Sequence, residues 1–454
     1  MSGRFVNVDR DTPYLLPPSV QDWLPENHLA RFVVEIVERL DLGELNRAYG
    51  GRGSDAFPPS MMVALLFYGY ATGVFSSRQL ERATFDSVAF RYVAGNRHPD
   101  HDTVANFRKR FLKELSALFV QILGVAQEMG VVKLGKVSLD GTKVHANASK
   151  HSALSWEHAC KIEAQLKAEV EQLMRLADEG DQAEIPDGMS VPEELKRREE
   201  RLTAIAQAKA QIEARAAERY AREKAAYEEK MAERQAKEAS SGRKPGGRPP
   251  SEPQPGPHPK DQVNLTDADS RIMPTSDGGF EQAYNAQAAV DVETMLIVAQ
   301  HISQSPNDKQ EVEPVLEKLD AVADVVGKAE VLIADNGYFS ADNVDECHAH
   351  QVEPYIAAGR ESHYPPLAER LREPLPVTDD ASAVDRMKHR LRTAEGRQVY
   401  ATRKCTVEPT FGIIKSVLGF RQFLLRGLRA VQHEWALVCI GWNLKRLHKL
   451  GLAA

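Results

Sequence analysis

The sequence has few cysteines and no long apolar run. Its 454 residues include only four cysteines, which are far apart and form no C-x-x-C pair: Cys160, Cys347, Cys405 and Cys439. This spacing argues against a disulfide framework and against a structural zinc site, and it fits a reducing cytoplasm. No run of about 18 apolar residues is present, so we expect no membrane span. The N-terminus lacks a basic segment followed by an apolar stretch, so we expect no secretory signal.

Positive charge is scarce overall but concentrated near the C-terminus. The whole chain has a formal net charge of −7. From Arg386 onward, however, 14 Lys and Arg residues accompany only 3 Asp and Glu residues. A basic segment on an acidic protein indicates a polyanionic partner for that segment. Glu408 is one of the three acids in this basic segment. An acid at such a position indicates a function, such as holding a metal ion where DNA phosphates bind.

Residues 1–130 have the periodicity of helices and predict an all-α N-terminal domain. Four segments carry the pattern: 28–42, 58–74, 76–95 and 100–119. Apolar residues recur at i, i+3, i+4 and i+7 in the first segment. The second opens with prolines, which a helix accepts at its start, and is apolar enough to be buried on all sides. For the fourth we expect Asp102 or Thr103 as the N-cap.

The last two of these segments resemble a helix-turn-helix. They are separated by a turn that contains glycine, and the second carries Arg108 and Arg110. We expect these arginines to be exposed, which makes them candidates for contact with DNA. The alternative is an all-α packing domain whose arginines are only solvated.

The middle of the chain contains segments that predict a strand, long helices and a linker. Residues 131–150 include a strand that we expect to be interrupted by a turn at Asp140-Gly141. Residues 151–240, rich in Ala, Glu, Lys, Gln and Arg, predict long exposed helices, either a solvated arm or a dimerising coiled coil. Residues 241–260 are dense in Gly and Pro and predict a flexible basic linker. Within it, GRKPGGRPP also resembles an AT-hook, which binds the DNA minor groove.

Residues 261–454 return to alternating strands and helices. Two strands across a polar turn, a helix, a fourth strand, a helix and a fifth strand follow one another. Together with the strand at 131–150 they predict a mixed five-stranded α/β sheet flanked by helices. The long helical segment would then be an insertion between the first and second strands.

Two acids lie at the ends of apolar strands. Asp140 precedes Gly141, and Asp335 precedes Asn336-Gly337. Sheet proteins place ligand groups at such positions because backbone and substrate approach closely there. Either acid could equally be a turn former. Glu408, on the basic helix, favours a functional interpretation of the set.

These blocks resemble the DDE transposases of bacterial insertion sequences, in the insertion sequence four/five superfamily. The resemblance covers nearly the whole chain. The blocks that carry it, in order, are WLPENHLARFVVEIVERLDL, VSLDGTKVHANAS, GGFEQAYNAQAAVD, VLIADNGYFS and YATRKCTVEPTFGIIK. It implies a ribonuclease-H-like catalytic domain at 131–150 and 261–454, and an N-terminal domain that binds the DNA ends.

The resemblance also implies site residues. The catalytic acids and metal ligands fall on Asp140, Asp335 and Glu408. The accompanying Tyr, Arg and Lys, expected to bind DNA, fall on Tyr400, Arg403 and Lys415. One departure from the pattern is that four residues separate Arg403 from Glu408 where three are usual, so Lys404 stands at the expected offset. Lys143 is a further candidate for contact with DNA.

The chemistry of such a site follows from its charges. Phosphodiester cleavage requires stabilisation of the entering and leaving oxygens, which two divalent cations about 4 Å apart provide while carboxylates hold them. Mg²⁺, for which Mn²⁺ can substitute, prefers hard oxygen ligands.

We therefore expect a Mg²⁺-dependent enzyme of the bacterial cytoplasm, associated with the nucleoid when it acts. It would bind terminal inverted repeats as a homodimer on DNA, cleave the element ends and join the 3′-hydroxyls to target DNA. The alternatives are an inactive DNA-binding relative and a related nuclease without strand transfer.

Overall fold

The chain forms two compact units. The computed structural model describes residues 19–49, 56–179, 190–242, 246–275, 278–359, 374, 376–378 and 381–452. The first unit comprises Met1–Val144 and Asn285–Ala454, and the second comprises His145–Tyr284.

Helices alone form the N-terminal part of the first unit. They are α1 (Leu29–Arg39), α2 (Gly43–Arg47), α3 (Pro59–Thr72), α4 (Ser77–Asp86), α5 (Val88–Val93), α6 (His101–Arg110) and α7 (Leu112–Glu128). Helix α3 is buried from Met62 to Ala71, as its apolar composition predicts. It ends at Gly73, whose φ of 82° is the left-handed conformation that glycine adopts most readily.

Each of the last two helices expected from the sequence is divided into two. Ser87 is extended between α4 and α5, and Phe111 leaves the helical region between α6 and α7. The expected N-cap of α6 was also wrong. Asp100, not Asp102 or Thr103, caps it, since its side chain accepts a hydrogen bond from the Thr103 amide. An N-cap must lie outside the helix in extended backbone, and Asp100 is the residue there.

The strands lie in a main sheet of six strands, one more than expected, and in a small antiparallel pair. They are β1 (Lys136–His145), β2 (Ala153–Ser155), β3 (Gln262–Asn264), β4 (Arg271–Pro274), β5 (Phe280–Asp291), β6 (Ile297–Ser303), β7 (Val331–Ala334) and β8 (Glu353–Ile356). Within the first unit the order is β6-β5-β1-β7-β8. Strands β1, β7 and β8 are parallel, and β5 and β6 are antiparallel to each other. A mixed sheet flanked by helices is therefore confirmed.

Strand β1 is continuous through Asp140-Gly141, so the expected turn there was wrong. The strand runs to His145, because β5 borders it on one side as β7 does on the other. Asp-Gly favours a turn only where no neighbouring strand supplies hydrogen bonds. Extended backbone at this point keeps Asp140 in the sheet instead of in a loop.

Further helices cover the sheet. They are α10 (Val312–Val326), α11 (Ala341–Ala349), α12 (Ala383–Arg392), α13 (Ala394–Ala401), α14 (Arg403–Gly412) and α15 (Leu428–Gly451). Helix α15 packs against β6 and against α3 and α7. Trp435 and Trp442 are buried on it, and their indole N–H groups donate to the carbonyls of Gln287 and Met295. These tryptophans therefore belong to the core.

The second unit contains α8 (Trp156–Glu179) and α9 (Val191–Ser241). Ion pairs Glu163–Lys209 and Glu169–Arg198 show that the two helices run antiparallel. The bend expected between them falls largely on residues 180–189, outside the described residues. Residues 243–245 of the Gly/Pro-rich segment also lie outside the described residues. They are part of the AT-hook-like stretch. Near its end this segment is attached to α9, since Arg219 donates to both carboxylate oxygens of Asp261 at 2.8 Å.

Among the described residues no single helix has both the length and the apolar character needed to cross a membrane. Only the pair α3 and α4, bent by 95°, meets that criterion jointly.

Candidate active site

Asp140 and Asp335 lie beside each other on neighbouring strands. The parallel register pairs Ser138 of β1 with Ile333 of β7. Two residues further along, the same register brings Asp140 next to Asp335, and side chains two residues apart share one face of a sheet. Asp335 then caps a short 3₁₀ turn, because its Oδ1 accepts from the Gly337 amide at 2.7 Å.

The proximity of these acids is reflected in their electrostatics. Burial, followed by the negative charge of Asp335, raises the pKa of Asp140 to about 6. The Gly141 amide, which donates to Asp140 Oδ1 at 2.8 Å, and the charge of Arg403 partly oppose this rise. Burial and the neighbouring carboxylate together therefore disfavour the charged form of Asp140.

Arg403 joins Asp140 to Glu408. Its Nη1 lies 3.2 Å from Asp140 Oδ2, and its Nη2 lies 2.9 Å from Glu408 Oε1. Burial lowers the pKa of Arg403, but the charges of Asp140, Tyr400, Glu408 and Asp335 outweigh it, and the net pKa is raised. Two of the acids, Asp140 and Glu408, thus contact one guanidinium group, and the charge of Asp335 also acts on it.

Arg403, not Lys404, occupies the site. Both residues open α14, but the Arg403 side chain is only 15% exposed, whereas Lys404 is exposed to solvent. The longer spacing between Arg403 and Glu408 therefore does not move the arginine away from the acids. Tyr400 lies on the preceding helix, where burial raises its pKa and the charge of Arg403 lowers it.

Two lysines flank the same strand. Lys415 Nζ donates to the carbonyl oxygen of Lys143 at 2.7 Å. Lys415 lies in a π-helical turn, Ile413–Val417, that continues α14, so it is not on a regular α-helical face with Glu408. Burial and the charge of Lys143 lower the pKa of Lys415. Lys415 is therefore attached to β1 at Lys143, and the two positive charges affect each other.

The expectation that Arg108 is exposed was wrong. Its residue exposure is 7%, and its Nη1 donates to the Phe75 carbonyl at 3.0 Å and to the Tyr70 hydroxyl at 3.3 Å. Helical periodicity places it on the inner side of α6, where it satisfies buried acceptors. Arg110 is exposed, and it donates to the Ala48 carbonyl at 2.8 Å.

A further acid near the site was missed by the sequence analysis. Asp308, in the loop between β6 and α10, accepts hydrogen bonds from Asn285 Nδ2 at 2.6 Å and from Gln287 Nε2 at 2.8 Å. Asn285 and Gln287 are fully buried polar residues two apart on β5. The sequence did contain one sign of such a partner. Two polar residues two positions apart in an otherwise apolar strand face the same side and need a hydrogen-bonding group there.

Gly141 permits this arrangement. A Cβ atom at position 141 would lie 2.8 Å from Asp308 Oδ1 and 2.9 Å from Asn285 Oδ1, closer than side-chain carbons pack. Glycine is therefore required next to Asp140 by the approach of these polar groups, not by a turn.

The acids do not form a closed metal-binding group. Within the described ranges, no three His, Cys, Asp or Glu side chains are arranged to hold a metal ion. Arg403 instead lies between the oxygens of Asp140 and Glu408.

The chain is similar to two known families. Residues 258–444 match the family described as a transposase DDE domain, and residues 18–110 match one described as a transposase domain. Together the matches span more than half of the chain. The first includes Asp335 and Glu408 but begins after Asp140, which the strand register alone associates with them. No curated protein and no solved structure matches the chain.

Proposed function

Because this chain belongs to the DDE transposases, we propose that it binds the terminal inverted repeats of an insertion sequence, cleaves the element ends and joins the 3′-hydroxyls to target DNA. One observation carries the proposal. Three acids that are distant in sequence come together: Arg403 pairs with both Asp140 and Glu408, and the strand register brings Asp335 next to Asp140. These three acids are the proposed catalytic residues.

The strand order supports a ribonuclease-H-like catalytic domain. Counting only the strands of the main sheet that lie in the first unit, the order is third, second, first, fourth, fifth, with the second antiparallel to the third and the last two parallel to the first. On this assignment residues 151–240 are an insertion between the first and second strands. The helical N-terminal residues 1–130 would bind the DNA ends.

The residues fit a divalent cation by their chemistry. Carboxylate oxygens are the ligands that Mg²⁺ and Mn²⁺ prefer, and the register brings two of them, from Asp140 and Asp335, next to each other. Asp140, Asp335 and Glu408 would hold the ion or pair of ions. When bound, a divalent cation supplies charge stabilisation to the phosphate oxygens and lowers the pKa of water.

The cationic side chains would bind the DNA backbone. Lys415 contacts the backbone of Lys143 on β1, Arg403 contacts Asp140, Tyr400 lies on the helix before Arg403, and Lys404 lies at the surface. Such contacts position a phosphodiester without reading its sequence. We propose that the protein acts in the bacterial cytoplasm on the nucleoid, as a homodimer that holds both ends.

A cleavage assay tests this function. The substrate is a supercoiled plasmid that carries the DNA flanking the gene, with Mg²⁺ or Mn²⁺. We expect cuts at the element ends and covalently joined donor–target products. Cuts without joined products would indicate a nuclease, and DNA binding without cuts would indicate an inactive relative.

Divalent cations are also expected to stabilise the folded protein. A ligand that binds only the native state adds about 2.7 kcal/mol at a concentration of 100 Kd. Mg²⁺ or Mn²⁺ should therefore raise the thermal unfolding temperature of the wild type. Asp140→Asn should abolish the increase, whereas Asp324→Asn, which changes an exposed acid of α10, should retain it. An equal increase in both variants would remove the ion from the proposed site.

A further inference from the structure

We propose that Asp308 is a positioning residue of the active site, which holds the ammonium group of Lys143 in place for a DNA phosphate. The proposal rests on the function proposed above and deepens it, because it assigns the acid that orients one of the DNA-binding cations. No part of the sequence resemblance singles out this residue.

Asp308 is held in a defined orientation. Its Oδ1 accepts from the amides of Asn285 and Gln287 at 2.6 and 2.8 Å, and both of these side chains are fully buried. Asn285 Nδ2 also donates to the Ser305 carbonyl at 3.2 Å, which fixes the loop on the strand. A carboxylate with two buried donors cannot rotate freely.

The same oxygen faces Lys143. Lys143 Nζ lies 3.6 Å from Asp308 Oδ1, and the two side chains are 20% and 23% exposed. Burial lowers the pKa of Lys143, and Asp308 is the first of the charges that raise it again. Asp308 therefore favours the charged form of a lysine that burial would otherwise discourage.

The backbone of Lys143 is held as well. Its carbonyl oxygen accepts from Lys415 Nζ, so main chain and side chain of residue 143 have separate partners. A lysine loses considerable rotamer entropy when it is fixed on a ligand. Because Lys143 is already held in place, less rotamer entropy is lost when it binds DNA.

The network also reaches the turn that follows Asp335. Gln287, which donates to Asp308, accepts a hydrogen bond from the hydroxyl of Tyr338. Tyr338 is buried in the 3₁₀ turn that Asp335 caps. Asp308 thus connects a proposed phosphate-binding lysine to the segment that carries a proposed metal ligand.

The experiment compares the salt dependence of DNA binding in three variants, on a duplex taken from the DNA that flanks the gene. A plot of the logarithm of the DNA-binding constant against the logarithm of the salt concentration has a negative slope. Lys143→Met should make this slope less steep by about 0.9, which corresponds to the loss of one phosphate contact. Asp308→Asn, which keeps an oxygen for the two amides, should make it less steep by the same amount. The double variant should lose no more than either single variant. Glu313→Gln, at an exposed acid of α10, should keep the wild-type slope.

Two results would overturn the proposal. An unchanged slope in Lys143→Met would mean that this lysine contacts no phosphate, and this variant leaves the Asp308 network intact. Tighter binding with an unchanged slope in Asp308→Asn would mean that Asp308 only repels DNA. If the wild type neither binds nor cleaves the flanking DNA, the proposed function fails instead, so the two failures are distinguishable.

Discussion

Asp140→Asn, Asp335→Asn and Glu408→Gln are each expected to reduce DNA cleavage by ~10³-fold, which corresponds to a loss of about 4 kcal/mol of transition-state stabilisation. Each change removes a negative charge that the proposed cation requires, while the side-chain shape is kept. Cleavage of supercoiled plasmid, followed over time with Mg²⁺, measures the effect. DNA affinity should remain at the wild-type level or increase, because a charge that repels phosphates is removed.

The matched control for these variants is Asp324→Asn. Asp324 is exposed on α10, away from the acids that surround Arg403, and its replacement should leave the cleavage rate unchanged. Thermal unfolding of each variant separates a loss of chemistry from a loss of fold. Full cleavage by any of the three site variants would remove that acid from the catalytic assignment.

Glu434→Ala is expected to lower the free energy of unfolding by about 3–5 kcal/mol. Glu434 is completely buried on α15, and its carboxylate accepts from the amides of Leu424 and Leu425 at distances of 2.9 to 3.2 Å. Burial raises its pKa, and the two backbone hydrogen bonds and the charge of Arg108 oppose that rise. Truncation would remove the carboxylate to which these two amides donate, together with the buried negative charge that interacts with Arg108.

A double-mutant cycle measures this coupling by chemical denaturation. Arg108→Met and Glu434→Leu should each be strongly destabilising, and the double variant that combines these two changes should lose less than their sum, since no unpaired charge remains. Glu38→Ala, at an exposed acid of α1, should change stability by less than about 0.5 kcal/mol. Additive single effects would show that Arg108 and Glu434 do not act together.

The sequence allowed the succession of strands and helices along the chain to be predicted, because strand periodicity and length are local properties. It also indicated which acids to examine. The register that places Asp140 beside Asp335 depends on the pairing of β1 with β7, which no local pattern encodes. For the same reason Asp140-Gly141 was expected to turn. Propensity describes an isolated dipeptide, and here the neighbouring strand β5 keeps it extended.

Residues that act through tertiary contacts escaped prediction. Asp308 lies in a polar loop whose composition is ordinary, and only its bonds to Asn285 and Gln287 distinguish it. Arg108 was expected to be exposed because charged residues usually are. Its burial depends on acceptors from α3 and from Phe75, which become neighbours only in the folded chain.

The packing of α15 against α3 and α7 determines when this protein can fold. Helix α3 is apolar on every side, yet part of its covering surface is synthesised more than 350 residues later, at Leu428–Gly451. During translation the early helices must wait, with their apolar faces uncovered, for the last helix to leave the ribosome. We therefore expect the nascent chain to need chaperones throughout synthesis, and a prematurely terminated product to aggregate instead of persisting as a separate DNA-binding fragment.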